Sequence, residues 1–86
     1  MKLSGNILES IGNTPLVELR KAVPPNCARI AAKLEWANPT GSMKDRMAKA
    51  VIEHAEADGR LPPRGTVVEY TSGTTGVSLA LAYDCC

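Results

Sequence analysis

At 86 residues, with 10 Lys plus Arg against 9 Asp plus Glu, the chain is enough for one small domain, and its balanced charge argues against a nucleic-acid or anionic-membrane partner. No apolar run approaches the roughly 20 residues of a membrane span. The opening "MKLSGNILES" lacks the long apolar core of a signal peptide, so a cytoplasmic protein is expected. The three cysteines, Cys27, Cys85 and Cys86, are odd in number and irregular in spacing, and read as free thiols rather than a disulfide framework or a zinc site.

In chain order, Ile7, Leu8 and Ile11 form a short apolar face that Gly12 can end, and "GNTP" breaks any helix. "LVELR", residues 16–20, alternates as a half-exposed strand does. "AVPPN" is a loop, and "ARIAAKLEW", residues 28–36, has the β-branched centre of a second strand. Trp36 is expected to pack just before the turn "NPTG". Next comes an amphipathic helix. Met43, Met47, Ala50, Val51 and His54 fall at helical spacing and predict its buried face, with Met43 and Met47 in the core and His54 packed or half-exposed; Gly59 is placed to end it. "RLPPRG" reads as a surface loop and "TVVEY", residues 66–70, as a third strand. "TSGTTG" is a small polar loop, and "VSLALAY" opens a second helix, from about Gly76, apolar nearly all round and so predicted to be buried.

Strand, helix, strand, helix is the order of an α/β fold with a parallel sheet and right-handed crossovers. The chain stops at "YDCC", within or just after a buried helix, and is expected to be a single segment from the front of a larger fold.

Two loops carry chemistry. In "GSMKD", Ser42 and Asp45 have the spacing of a capping box, with Ser42 at the N-cap and Lys44 as the second helical residue. A cation at a helix N-terminus is mildly disfavoured. A lysine buried in a crevice is biased toward the neutral amine, the form that attacks a carbonyl to make an imine. The spacing is equally that of an exposed lysine in a solvated first turn. In "TSGTTG", residues 71–76, backbone N–H groups and the hydroxyls of Thr71, Ser72, Thr74 and Thr75 can converge on a small anion, and Gly73 and Gly76 allow close approach. It is neither a P-loop nor a dinucleotide fingerprint, and an ordinary capped turn has the same residues. Both loops follow a strand and open a helix, so an open parallel sheet puts them on one edge. A lysine facing an anion nest suits an amino acid.

The stretches "IGNTPLVEL", "KLEWANPTGSMKDR" and "EYTSGTTGVSLA" resemble, in order and spacing, the cysteine synthase (O-acetylserine sulfhydrylase) and cystathionine β-synthase family, a branch of the tryptophan-synthase-β-like pyridoxal-phosphate enzymes. The resemblance runs from about Ile7 to Tyr83. It implies that Lys44 carries pyridoxal 5'-phosphate and moves the substrate α-proton, and that Thr71, Ser72, Gly73 and Thr75 bind the substrate α-carboxylate. The reaction implied is β-replacement on an activated serine of the O-acetylserine or serine type, with sulfide or a thiol entering to give cysteine or a relative. A homodimer is implied for the complete enzyme. Thr74 stands where the family usually has Asn, which reaches the cofactor's ring hydroxyl; the shorter threonine points to altered cofactor tuning or substrate choice. The family's glycine-rich phosphate loop and its partner for the pyridine nitrogen lie downstream of the stretch matched. The 86 residues alone are therefore expected to be inactive. Two other readings stand beside the enzyme: a truncated, non-catalytic relative that associates with a complete subunit, and an unrelated small-anion-binding α/β module.

Overall fold

The computed structural model describes residues 3–84. A 3-10 turn at Ile7–Ser10 is followed by strands β1 (Leu16–Leu19) and β2 (Ile30–Lys33), a second 3-10 turn at Glu35–Ala37, and helices α1 (Lys44–Ala57) and α2 (Thr74–Asp84). No described helix is long and apolar enough to cross a membrane.

The α/β class holds, but the parallel sheet is not made by the described residues. β1 and β2 pair antiparallel, Leu16 opposite Lys33 and Leu19 opposite Ile30. Consecutive strands joined by a short connection fold back on one another; parallel pairing needs a crossover and a further strand. Residues 66–70, expected as that strand, have no ladder partner, and Val68 and Tyr70 are 88% and 100% exposed. β-propensity describes a fit to a neighbouring strand, so it makes no strand by itself.

α1 is rich in Ala, Lys and Glu, all good helix formers. It stops where expected. Gly59 takes φ +83°, and the N–H of Leu61 reaches back to the carbonyl of Ala55 at 2.9 Å, satisfying a carbonyl the last turn leaves free.

The core lies mainly between the two helices: Leu8, Ala48, Ile52, Leu79 and Ala82, with Ile11 and Leu61 against it. The buried face of α1 is therefore Asp45, Ala48 and Ile52. The stripe predicted from helical spacing lies on the other side, where Met43, Met47, Ala50, Val51 and His54 are exposed. The reason is steric. Ala48 and Ala82 are almost wholly covered, and small residues let helix backbones come close; the methionine stripe would hold them apart. Trp36, expected to pack, is also exposed. α2 starts two residues before the expected Gly76 and buries only Ser78, Leu79 and Ala82; Val77 and Tyr83 lie open because α1 covers one side alone. Cys27 is a free, exposed thiol, and Cys85 and Cys86 lie outside the described residues.

The radius of gyration is 16.7 Å, against about 12 Å for a compact globule of this length. The β-ribbon thus projects from the helix pair. A polar network joins them. Arg46 of α1 donates through Nε to Glu35 Oε1 at 2.6 Å and through Nη2 to Glu35 Oε2 and the Thr14 hydroxyl at 3.2 and 3.1 Å. Thr14 also donates to Glu35, while Asn38 donates to the Glu35 carbonyl at 2.8 Å and accepts from the N–H of Gly12 at 2.8 Å. Hydrogen bonds from Arg46 and then Thr14 lower the Glu35 carboxyl to about 2, against the opposing effect of desolvation. The network fixes where the chain enters the turn ahead of Lys44.

Candidate active site

Lys44 is the first residue of α1 rather than the second, with Met43 in the cap position. The predicted capping box does not form. The Ser42 hydroxyl accepts the Lys44 N–H at 3.0 Å, one residue short of the Asp45 N–H that the box would bind, and that N–H goes to the Ser42 carbonyl at 3.3 Å. Asp45 does not reach back to Ser42 either, because it is turned inward: its Oδ2 accepts the Thr40 N–H at 2.8 Å, and its Oδ1 accepts the hydroxyls of Thr40 and, at 2.6 Å, Ser78. The Lys44 side chain is half-buried and makes no hydrogen bond or ion pair among the described residues.

The second loop divides its work in a way the sequence did not disclose. Thr71 Oγ1 accepts the N–H groups of Gly73 and Gly76 at 3.3 and 3.1 Å. Those two donors are engaged in closing the turn ahead of α2, so they do not point at a ligand. A Cβ on Gly76 would lie 2.7 Å from Thr71 Cγ2, so only glycine allows this closure. With both lone pairs of the Thr71 oxygen occupied, its proton is left to donate outward. The N–H groups of Ser72, Thr74 and Thr75 have no partner among the described residues. Thr74 and Thr75 stand in the first turn of α2, where backbone donors and the helix dipole favour an anion. A Cβ on Gly73 would meet nothing within 4 Å, so packing does not demand glycine there, and the space over it is open to a ligand.

These residues share an open cleft of about 740 Å³. Thr71, Ser72, Gly73 and Thr74 line one wall together with Gly76, and Thr40, from the turn ahead of Lys44, joins the lining. Thr75 and Lys44 do not line it. Thr40 bonds Asp45, the neighbour of Lys44, so the turn that leads into α1 is tied to the cleft, although no residue of α1 itself lines it. Asp45, Thr40 and Ser78 were missed from the sequence. The spacing of Asp45 from Ser42 points to a local cap, and the serine in "VSLALAY" has no periodic signal to mark it.

The cleft thus brings backbone donors without a protein partner, at Ser72 and Thr74, next to Thr40 of the turn that leads into the lysine-bearing helix. The family model described as pyridoxal-phosphate dependent enzyme matches residues 7–83, and the chain belongs to that family. Among curated relatives, the cysteine synthase of Staphylococcus aureus is 53% identical over 75 residues, covering 87% of this chain and 24% of the relative. The crystal structure of cysteine synthase from Entamoeba histolytica superposes with a TM-score of 0.87 at 45% identity, over 94% of this chain and 25% of that one. The O-acetylserine dependent cystathionine β-synthase of Helicobacter pylori gives 0.87 at 33% identity, over 99% of this chain and 28% of that one. The fold is thus part of the tryptophan-synthase-β-like architecture, and the chain spans about a quarter of the length of the relatives it matches.

The residues present fit pyridoxal phosphate in part. Lys44 is a half-buried amine with no competing partner, suited to hold the cofactor's carbonyl carbon, and Thr74, first in α2, could offer its ring a hydroxyl.

Proposed function

We propose that the chain forms the lysine and carboxylate-binding part of a cysteine synthase, which replaces the leaving group of an activated serine with sulfide or a thiol. One observation carries the reading. The packing of α1 on α2 leaves Thr40, in the turn ahead of Lys44, in the lining of a cleft whose donors at Ser72 and Thr74 have no protein partner.

The chemistry supplied by bound pyridoxal phosphate is an electron sink for the substrate Cα. The chain's own residues do the rest. Ser72 and Thr75, through backbone N–H and hydroxyl, take the two oxygens of the α-carboxylate, with Thr71 donating its outward proton and Gly73 allowing close approach. The amino end of the substrate is then directed toward Lys44. Lys44, once its amine is free, removes the proton from Cα. Holding the carboxylate at one end and the base at the other makes proton removal effectively unimolecular, the largest benefit that positioning gives. Thr74 is proposed to contact the cofactor ring, with a single hydroxyl where the family's Asn would offer an amide. A homodimer of the complete enzyme and a cytoplasmic setting belong to the same proposal.

The test is a graft. Residues 7–83 replace the matching segment of the Staphylococcus aureus cysteine synthase, and the product is assayed for cysteine formation from O-acetylserine and sulfide. Borohydride reduction and peptide mapping should place the cofactor on Lys44. Label on Lys33 or Lys49 instead would overturn the assignment. Ser72→Ala should weaken amino-acid binding by about 1.5–3 kcal/mol, the loss of a hydrogen bond to a charged group, with the cofactor spectrum unchanged.

A further inference from the structure

Four polar or charged side chains are buried among the described residues, Thr14, Asn38, Asp45 and Ser78, and only Asp45 carries a charge. A carboxylate leaves water at a large penalty unless its oxygens are hydrogen-bonded. A solvent-side use was at hand for Asp45, the reciprocal bond of the capping box to the Ser42 N–H. The chain forgoes it. Asp45 is instead 1% exposed and held by three donors: the Thr40 hydroxyl, the Thr40 N–H at 2.8 Å and the Ser78 hydroxyl at 2.6 Å. Burial pushes its carboxyl up, but the bonds from Ser78 and Thr40 outweigh burial and leave it below the ordinary value, so it stays ionised near neutral pH.

Asp45 and its two partner residues fall on three different parts of the site. Asp45 follows Lys44 directly. Thr40 lines the cleft. Ser78 lies one turn into α2 from Thr74, beyond the carboxylate loop. The apolar contacts between the helices, Ala48 and Ile52 against Leu79 and Ala82, favour association but have no direction, so they tolerate a slide or twist of one helix on the other. Hydrogen bonds to one carboxylate are directional and fix both.

We propose that Asp45 is a positioning residue that sets Lys44 against the 71–75 loop, so that one amino acid can engage both at once; the inference rests on the functional reading above. Its consequence is specific to ligands that use both ends of the site. L-serine presents an amine and a carboxylate. Ethanolamine presents the same amine and hydroxyl without the carboxylate, so it would use only the amine end of the site, where it would displace Lys44.

The experiment uses the grafted enzyme with cofactor bound, and follows the cofactor absorbance as each ligand is titrated. Asp45→Asn keeps the side-chain shape but sets an amide N–H against one of the three donors. Ser78→Ala removes one donor and leaves the carboxylate in place. In both variants the apparent Kd of L-serine should rise, by about tenfold for Asp45→Asn, in keeping with the sensitivity of bound geometry to sub-ångström misplacement. The Kd of ethanolamine should stay within twofold, and so should the cofactor spectrum before titration. Equal weakening of both ligands, or loss of the lysine-linked absorbance in the variants, would mean that Asp45 serves only the stability of the helix pair, and would overturn the proposal. Unchanged binding of both ligands would overturn it too. Absence of the lysine-linked absorbance in the unmutated graft would overturn the functional reading itself, and this inference with it.

Discussion

Gly76→Ala should loosen the loop that faces the cleft, even though it improves the helix. Gly76 is the third residue of α2. Alanine in place of glycine inside a helix stabilises it by roughly 0.5–1 kcal/mol. Against this, the new Cβ would sit 2.7 Å from Thr71 Cγ2, closer than real Cβ contacts come, while Thr71 Oγ1 is at an ordinary 3.5 Å. The methyl must move and carry the hydroxyl with it. That breaks the bonds to Thr71 from the Gly73 and Gly76 N–H groups, each a net contribution of about 0.5–1.5 kcal/mol, with the Gly76 bond at the low end because that N–H keeps the Gly73 carbonyl at 3.1 Å. The loss is the larger, and the net change is about 1 kcal/mol destabilising. The contact atom supplies a sharper test. Thr71→Ser deletes Cγ2 and keeps Oγ1, so in that background Gly76→Ala should instead stabilise by about 0.5 kcal/mol. The assay is urea unfolding of the four chains at low concentration, followed by far-ultraviolet circular dichroism. A coupling of about 1–2 kcal/mol between the two positions is expected. An identical effect of Gly76→Ala in both backgrounds would refute the steric argument, and with it the account of why glycine stands there.

Three further outcomes are expected. Ile52→Ala, at 2% exposure and the largest fully buried apolar side chain, should destabilise the helix pair by about 2–5 kcal/mol, whereas Val51→Ala, half exposed beside it, should stay within about 0.5 kcal/mol; equal values in urea titration would mean that the wrong face of α1 has been called buried. The Glu35 carboxyl lies at about 2 against an ordinary 4.5, so its contribution to stability is present above pH 4.5 and is lost as pH falls through about 2. Glu35→Gln should therefore flatten the acid limb of the unfolding curve between those two values, and a limb unchanged by the substitution would place the titrating group elsewhere. The unpaired 66–70 segment exposes Val68 and Tyr70 almost fully, so the 86-residue chain should self-associate with rising concentration, and Val68→Lys should reduce this; sedimentation showing monomers throughout would contradict the edge-pairing argument.

The sequence by itself determined the local structure and the residue chemistry. The turn at Ile7–Ser10, the two strands near Leu16 and Ile30, and the stop of α1 at Gly59 all follow from contacts a few residues apart, so the information lies within a short window. The family was legible for the same reason: "NPTGSMKDR" and "TSGTTG" are contiguous, and their chemistry is written in neighbouring residues. What failed were inferences about partners distant in the chain. Helical spacing puts Met43, Met47, Ala50, Val51 and His54 on one face of α1, yet the tertiary structure buries Ala48 and Ile52 because α2 offers the small side chains of Ser78 and Ala82. The segment 66–70 has a strand's composition but no strand beside it, and a ladder needs two. Asp45 shows the limit most clearly. Its spacing from Ser42 fits a local cap, and nothing near it in sequence announces Ser78, 33 residues on, whose hydroxyl binds it instead. A side chain able to accept bonds in two places goes where burial leaves donors that water cannot satisfy, and only the packed helices decide where that is.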